Sequence, residues 1–117
     1  MRVLLLDEYT RRSALVSEQL QKKNHEVVCC HAASDFMAAL ALGGSDVVLI
    51  SYLAWGHGKS LYRYFDISSR LEQIPIVLFD APEGLSRLDS RPAHRQDRIV
   101  GKPSKAELIV EALLSRE

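Results

Sequence analysis

The chain has 117 residues, enough for one domain around one core, and 1–117 reads as a single domain. Its 15 basic and 15 acidic residues cancel, which excludes a whole-molecule attraction for nucleic acid or anionic lipid. No apolar run approaches the roughly 20 residues that cross a bilayer, and the opening stretch is too short for a signal peptide, so a cytoplasmic location is expected.

Apolar, β-branched runs alternate with longer helical patterns. Residues 3–6 read as a first strand. Residues 10–23 read as a helix with Leu15, Val16 and Leu20 facing inward and Asn24 suited to a left-handed stop. Residues 27–30 form a second strand. Its adjacent Cys29 and Cys30 point to opposite faces and read as reduced thiols, at least one of them in the core. Ser34 can cap a helix through Leu42, with Phe36, Ala39 and Leu40 inward and Gly43-Gly44 ending it. Residues 47–50 carry no charge and read as a strand buried on both faces.

Residues 59–71 read as helical, and residues 76–79 as a fourth strand. Gly84 and Pro92 interrupt the stretch that follows, so a short helix is expected near residues 85–88, then irregular chain. Arg87, Arg91, Arg95 and Arg98 in this region read as a solvated face. Ile99 and Val100 mark a short fifth strand. Ser104-Lys105-Ala106-Glu107 has the form of a capping box, opening a helix with Leu108, Ile109, Ala112 and Leu113 inward.

Strands alternating with helices predict a parallel sheet covered on both faces, with ligands bound beyond the carboxyl ends of the strands. Those ends are Asp7-Glu8, Ser51-Tyr52, Asp80 and Lys102. The histidines, His25, His31, His57 and His94, have no metal-ligand spacing, which argues against zinc. Gly58-Lys59-Ser60 imitates the end of a phosphate-binding loop. The glycine the full pattern needs five residues earlier is Leu53, so it reads as a plain helix start. Ser51, His57 and Asp80 could make a hydrolytic triad, but the nucleophile elbow is missing.

The acid pair Asp7-Glu8, the third-strand tip at Ser51 and the Lys102-Pro103 pair, over nearly the whole chain, resemble the receiver domain of bacterial response regulators in two-component signalling. The resemblance implies a flavodoxin-like, doubly wound three-layer α/β sandwich. Its five-stranded parallel sheet would run in the order 2-1-3-4-5, with a weak or shortened fourth helix. It further implies a magnesium site on the acids, phosphoryl transfer to an aspartate, and a lysine and a hydroxyl that grip the phosphoryl group. An aromatic residue on the fifth strand would report the event. The Lys102-Pro103 bond is expected to be cis on the same ground.

Three of those positions differ here. The acceptor position is Ser51, the hydroxyl position is Asp80, and the reporting aromatic falls at Ile99. A serine does not form an acyl phosphate, and a carboxylate at Asp80 would repel a phosphoryl dianion by roughly 4 kcal/mol per charge pair at about 4 Å and an effective dielectric of ~20. The expectation is therefore a pseudo-receiver: a non-enzymatic, phosphorylation-independent module that binds other signalling proteins and no nucleic acid. In the pocket, Lys102 is expected to pair with Asp7 and Asp80. The alternative is a sensor with a cation such as magnesium, or a small ligand, held by Asp7, Glu8 and Asp80. Tyr52, Trp55 and His57 at the pocket rim, with Ile99, are candidate partner contacts, unless Trp55 folds back over the sheet end.

Overall fold

The computed structural model describes residues 1–57, 74–86, 88 and 95–115. Five strands, β1 (Arg2–Leu6), β2 (Glu26–Cys30), β3 (Val47–Ser51), β4 (Ile76–Ala81) and β5 (Arg98–Gly101), form one sheet in the order β2-β1-β3-β4-β5. Every pairing is parallel. The expected fold and strand order are both present. Helices α1 (Thr10–Gln21), α2 (Ala33–Leu42), α3 (Tyr52–His57) and α4 (Ala106–Leu114) follow β1, β2, β3 and β5.

Alternation along the strands divides the core in two. Leu4, Leu6, Val48, Ile50, Ile76 and Leu78 pack with Phe36 and Leu40 of α2 on one face. Val3, Leu5, Val47, Leu49, Val77 and Phe79 pack with Val16 and Leu20 of α1 and with Ile109 and Leu113 of α4 on the other. Strand β3 is buried at all five positions, as its uncharged sequence predicts for a central parallel strand. Strand β2 lies at the edge and is largely exposed; Cys30 is buried and Cys29 is not.

Several local expectations change. Leu15 and Leu108 are exposed, and Ser13 and Val110 take inward positions instead, because each helix sits rotated from the face that leucine content suggested. Ser34 lies inside α2, whose N-cap is Ala32 with no side-chain cap bond. The Ser104–Glu107 capping box does not form: the N-cap of α4 is Lys105, and the Ser104 hydroxyl is engaged elsewhere. Leu85, Ser86 and Leu88 are irregular, so the short helix expected there is absent at its described residues. The segment after Ser51 winds directly into α3, ahead of the helix expected from residue 59. The helix expected over 59–71 and the Gly58-Lys59-Ser60 segment lie outside the described residues. Asn24 does adopt the left-handed conformation past the end of α1, with φ 66°.

One irregularity positions the site. Asp80 has φ 57°, a conformation that aspartate tolerates better than most residues, and the β4–β5 register shifts between Leu78 and Ala81. The extra residue resets the alternation: Leu78 and Ala81, three apart, both face the α2 side. Asp80 is thereby released from the pleat at the carboxyl end of the sheet.

Candidate functional site

The carboxyl ends of β1, β3 and β4 and the turn after β5 meet at a buried polar cluster. Asp7 continues β1 and is 0% exposed. A carboxylate there needs full compensation, since a buried unpaired charge is severely unfavourable. Compensation comes from Arg12, in the first turn of α1. Arg12 Nε donates to Asp7 Oδ2 at 2.8 Å and its Nη2 to Oδ1 at 2.8 Å, a bidentate fork. The backbone N–H of Tyr9 donates to Oδ1 as well, at 3.1 Å. Arg12 Nη1 reaches across to Asp80 Oδ2 at 2.6 Å and to the Ser104 carbonyl at 3.2 Å. Four of the five guanidinium N–H groups thus find acceptors among the described residues. The guanidinium carbon also lies over two aromatic rings, 5.0 Å from the Tyr9 centroid and 4.8 Å from that of Phe79. Its bonds to Asp7, and after them those to Asp80, hold the guanidinium pKa above its already high usual value, against an opposing pull from burial.

Asp80 is clasped a second time. Its backbone N–H donates to Ser104 Oγ at 2.8 Å, and Ser104 N–H donates to Asp80 Oδ1 at 2.9 Å. The Ser104 hydroxyl in turn donates to the Gly101 carbonyl at 3.0 Å. This reciprocal pair holds the left-handed residue in place and ties the tip of β4 to the turn before α4. Lys102-Pro103, in the same turn, is cis as expected.

The remaining acid is held differently. Ser51 is 0% exposed, and its hydroxyl donates to Glu8 Oε2 at 2.6 Å. The same oxygen accepts from the Ala54 N–H at 3.1 Å, the bond by which an N-cap serine starts a helix. Ser51 therefore faces the pocket at the tip of β3, joined to Glu8, and begins α3.

The expected internal ion pair exists, but the expected cation was wrong. Lys102 is exposed, and its side chain pairs with no acid among the described residues. A guanidinium satisfies two carboxylates and a carbonyl at once in a planar array, which a single ammonium matches poorly. No sequence motif contains Arg12. One signal was available: Arg11-Arg12 stand in the first turn of α1, where the helix dipole disfavours positive charge, and no acid shares that turn. Ser104, expected to cap α4, clasps Asp80 instead.

These residues do not fit a divalent cation. Both oxygens of Asp7 and both of Asp80 already accept hydrogen bonds, and Glu8 is turned to Ser51. Among the described residues, no group of three acids, histidines or cysteines converges to hold a metal. The structure also does not bring Ser51 and Asp80 into a shared hydrogen bond, and the side chain of His57 lies outside the described residues. At the rim, Tyr52 and Leu53 are exposed. Trp55 is half-buried and packs against the α2-side core, as does Ile99.

Beside the clamp, a cleft of about 430 Å³ opens between α1 and α4, lined by Tyr9, Arg11, Arg12, Leu15, Lys105 and Glu107 among others. No helix among the described residues is long and apolar enough to cross a membrane.

No protein-family model matches the chain, and no curated protein does. Solved structures do. The chemotaxis response regulator CheY4 of Vibrio cholerae is 18% identical with TM-score 0.70, covering 99% of this chain and 98% of that one. An atypical orphan response regulator is 17% identical with TM-score 0.71, covering 99% and 94%. The pseudo-receiver domain of the CikA protein is 17% identical with TM-score 0.63, covering 98% and 95%. At such identities the likeness is one of fold: this chain has the fold of response-regulator receiver domains.

Proposed function

We propose that the chain is a receiver-type signalling module that works without phosphorylation, by binding other signalling proteins. One observation carries the reading. The three acids at the pocket are satisfied from within, Asp7 and Asp80 by Arg12 and Ser104, and Glu8 by the Ser51 hydroxyl. A serine at the strand tip offers no acyl-phosphate chemistry, and the positions around it are committed to one another. Among the similar structures, the atypical orphan regulator is described as having a phosphorylation-independent regulatory mechanism, which is in keeping with this reading.

No residue in the pocket is assigned a catalytic role, and the reading is of a non-enzyme. Tyr52 and Leu53 at the start of α3 form the exposed apolar rim of the pocket and are the first surface to probe for partner contact. Trp55 is better placed as support beneath them, since it packs on the core. Treatment with a small-molecule phosphodonor and magnesium, followed by intact-mass measurement, tests the proposal. The expected result is no adduct; a stoichiometric acid-labile phosphoryl group would refute it.

A further inference from the structure

We infer that the cleft between α1 and α4 is a binding site for a small organic acid, a compact aromatic body bearing one carboxylate. The inference goes beyond the proposed function, since it adds a free ligand to a module read as binding proteins. The cleft holds about 430 Å³, within the range of small-ligand sites, roughly 300–1,000 Å³. Its apolar lining comes from the Tyr9 ring, Leu15 and Ala106. Tyr9 and Leu15 are 58% and 45% exposed, so two large apolar side chains of one cleft stand in water. Covering them with a ring removes that surface from solvent.

Charge selects an acid. Three cationic side chains line the cleft, Arg11, Arg12 and Lys105, against one acid, Glu107. Asp7 and Asp80, which neutralise Arg12, do not line it. Among the described residues, no acid pairs with Arg11 or Lys105. The chain as a whole has no net charge, so this excess is local and attracts an anion to one place. Arg12 adds direction. One Nη2 hydrogen goes to Asp7; the other has no acceptor among the described residues, on a side chain only 15% exposed. A carboxylate in the cleft can accept it. The walls are already joined: Arg12 bonds the Ser104 carbonyl, two residues before Ala106, and ties the start of α1 to the start of α4. A preformed site of this size, with its free donor on a mostly buried arginine, suits a compact free acid better than a segment of a partner chain.

Calorimetric titration with 2-naphthoate, and with the neutral 2-naphthamide as its control, tests this. Naphthoate should bind at one site with a Kd of about 1 mM or below, and the amide at least about 5-fold more weakly. Arg11→Gln and Lys105→Gln should each weaken naphthoate by about 2–5-fold, and Glu107→Gln should strengthen it by a similar factor. Leu15→Asp should abolish binding. All four positions are exposed and stand outside the Arg12 network, and a thermal melt of each variant checks that it is folded. Amide and acid binding equally, no naphthoate binding at about 10 mM, or folded variants that bind like the wild type would overturn the inference. So would a capped Asp-Trp-Asp peptide that binds more tightly than naphthoate, because the occupant would then be an acidic segment of a partner. The phosphodonor result bears on the proposed function alone, so the two can fail separately.

Discussion

The two ends of β1 treat charge in opposite ways. At the carboxyl end, Asp7 is wholly buried and receives two guanidinium bonds and a backbone N–H. At the amino end, the Met1 ammonium donates to His25 Nδ1 at 3.0 Å, and burial, then the ammonium, then Lys23 all lower the histidine pKa. One end is a closed network in which each acid has a hydrogen-bond donor within the fold. The other sets an ammonium beside a histidine, with Arg2 and Glu26 forming an exposed ion pair at 3.3 Å next to them. The contrast locates where this fold concentrates electrostatic energy, and substitutions at the two ends should differ in size accordingly.

The largest effect is expected from Arg12→Met. It strands Asp7 in the interior and should cost about 3–5 kcal/mol, as breaking a buried pair from one side does. Urea titration gives the number. Adding Asp7→Asn to it should recover much of the loss, because the stranded charge is then gone; two additive losses would mean that the pair is not the cause.

Ser51→Asp comes next. The new carboxylate would stand where a hydroxyl now lies 2.6 Å from Glu8, and should cost about 2 kcal/mol at neutral pH, after solvent screening of the partly exposed Glu8. The loss should shrink as pH falls and one carboxyl of the pair protonates. Ser51→Ala should cost about 1 kcal/mol, the lost bond to Glu8 and the lost helix cap, with no such pH dependence. Equal pH profiles for the two variants would show that Glu8 does not face position 51.

The sheet was legible in the chain because each strand is a short apolar run bounded by turn residues, and the order of strands followed from the resemblance. The positions of Asp7, Glu8, Ser51, Asp80 and Lys102 at the strand ends followed from the same pattern. What could not be read was which side chains meet there. Arg12 depends on the angle at which α1 leaves Asp7, and Ser104 on a one-residue bulge at Asp80. Both are tertiary facts that hydrophobic periodicity does not encode. Leucine content misled at Leu15 and Leu108 for a related reason: helix rotation is set by what packs beneath, and small residues such as Ser13 and Ala106 bring α1 and α4 close to the sheet.

Ser104→Ala probes the second clasp. It removes the acceptor for the Asp80 N–H and the donor to the Gly101 carbonyl while leaving the Ser104 backbone in place, and should cost about 1–2 kcal/mol. Pairing it with Asp80→Gly sharpens the point. Glycine adopts φ near 57° freely, so the backbone component of the clasp should matter less in that background. Strict additivity would mean that Ser104 does not help hold the left-handed residue.

The smallest effect belongs to the amino end of β1. His25 titrates below its usual value in the folded chain, so the unfolded chain binds the proton more readily. Stability from this group is complete above the unfolded pKa of about 6.5 and is lost as pH falls from there to the lowered folded value. The loss should stay below about 0.5 kcal/mol because the ring is partly solvated. His25→Gln should flatten that part of the profile, read as the difference between wild type and variant from about pH 7.5 down to pH 5. A wild type that instead gains stability over the same window, relative to His25→Gln, would mean that the ring meets a carboxylate.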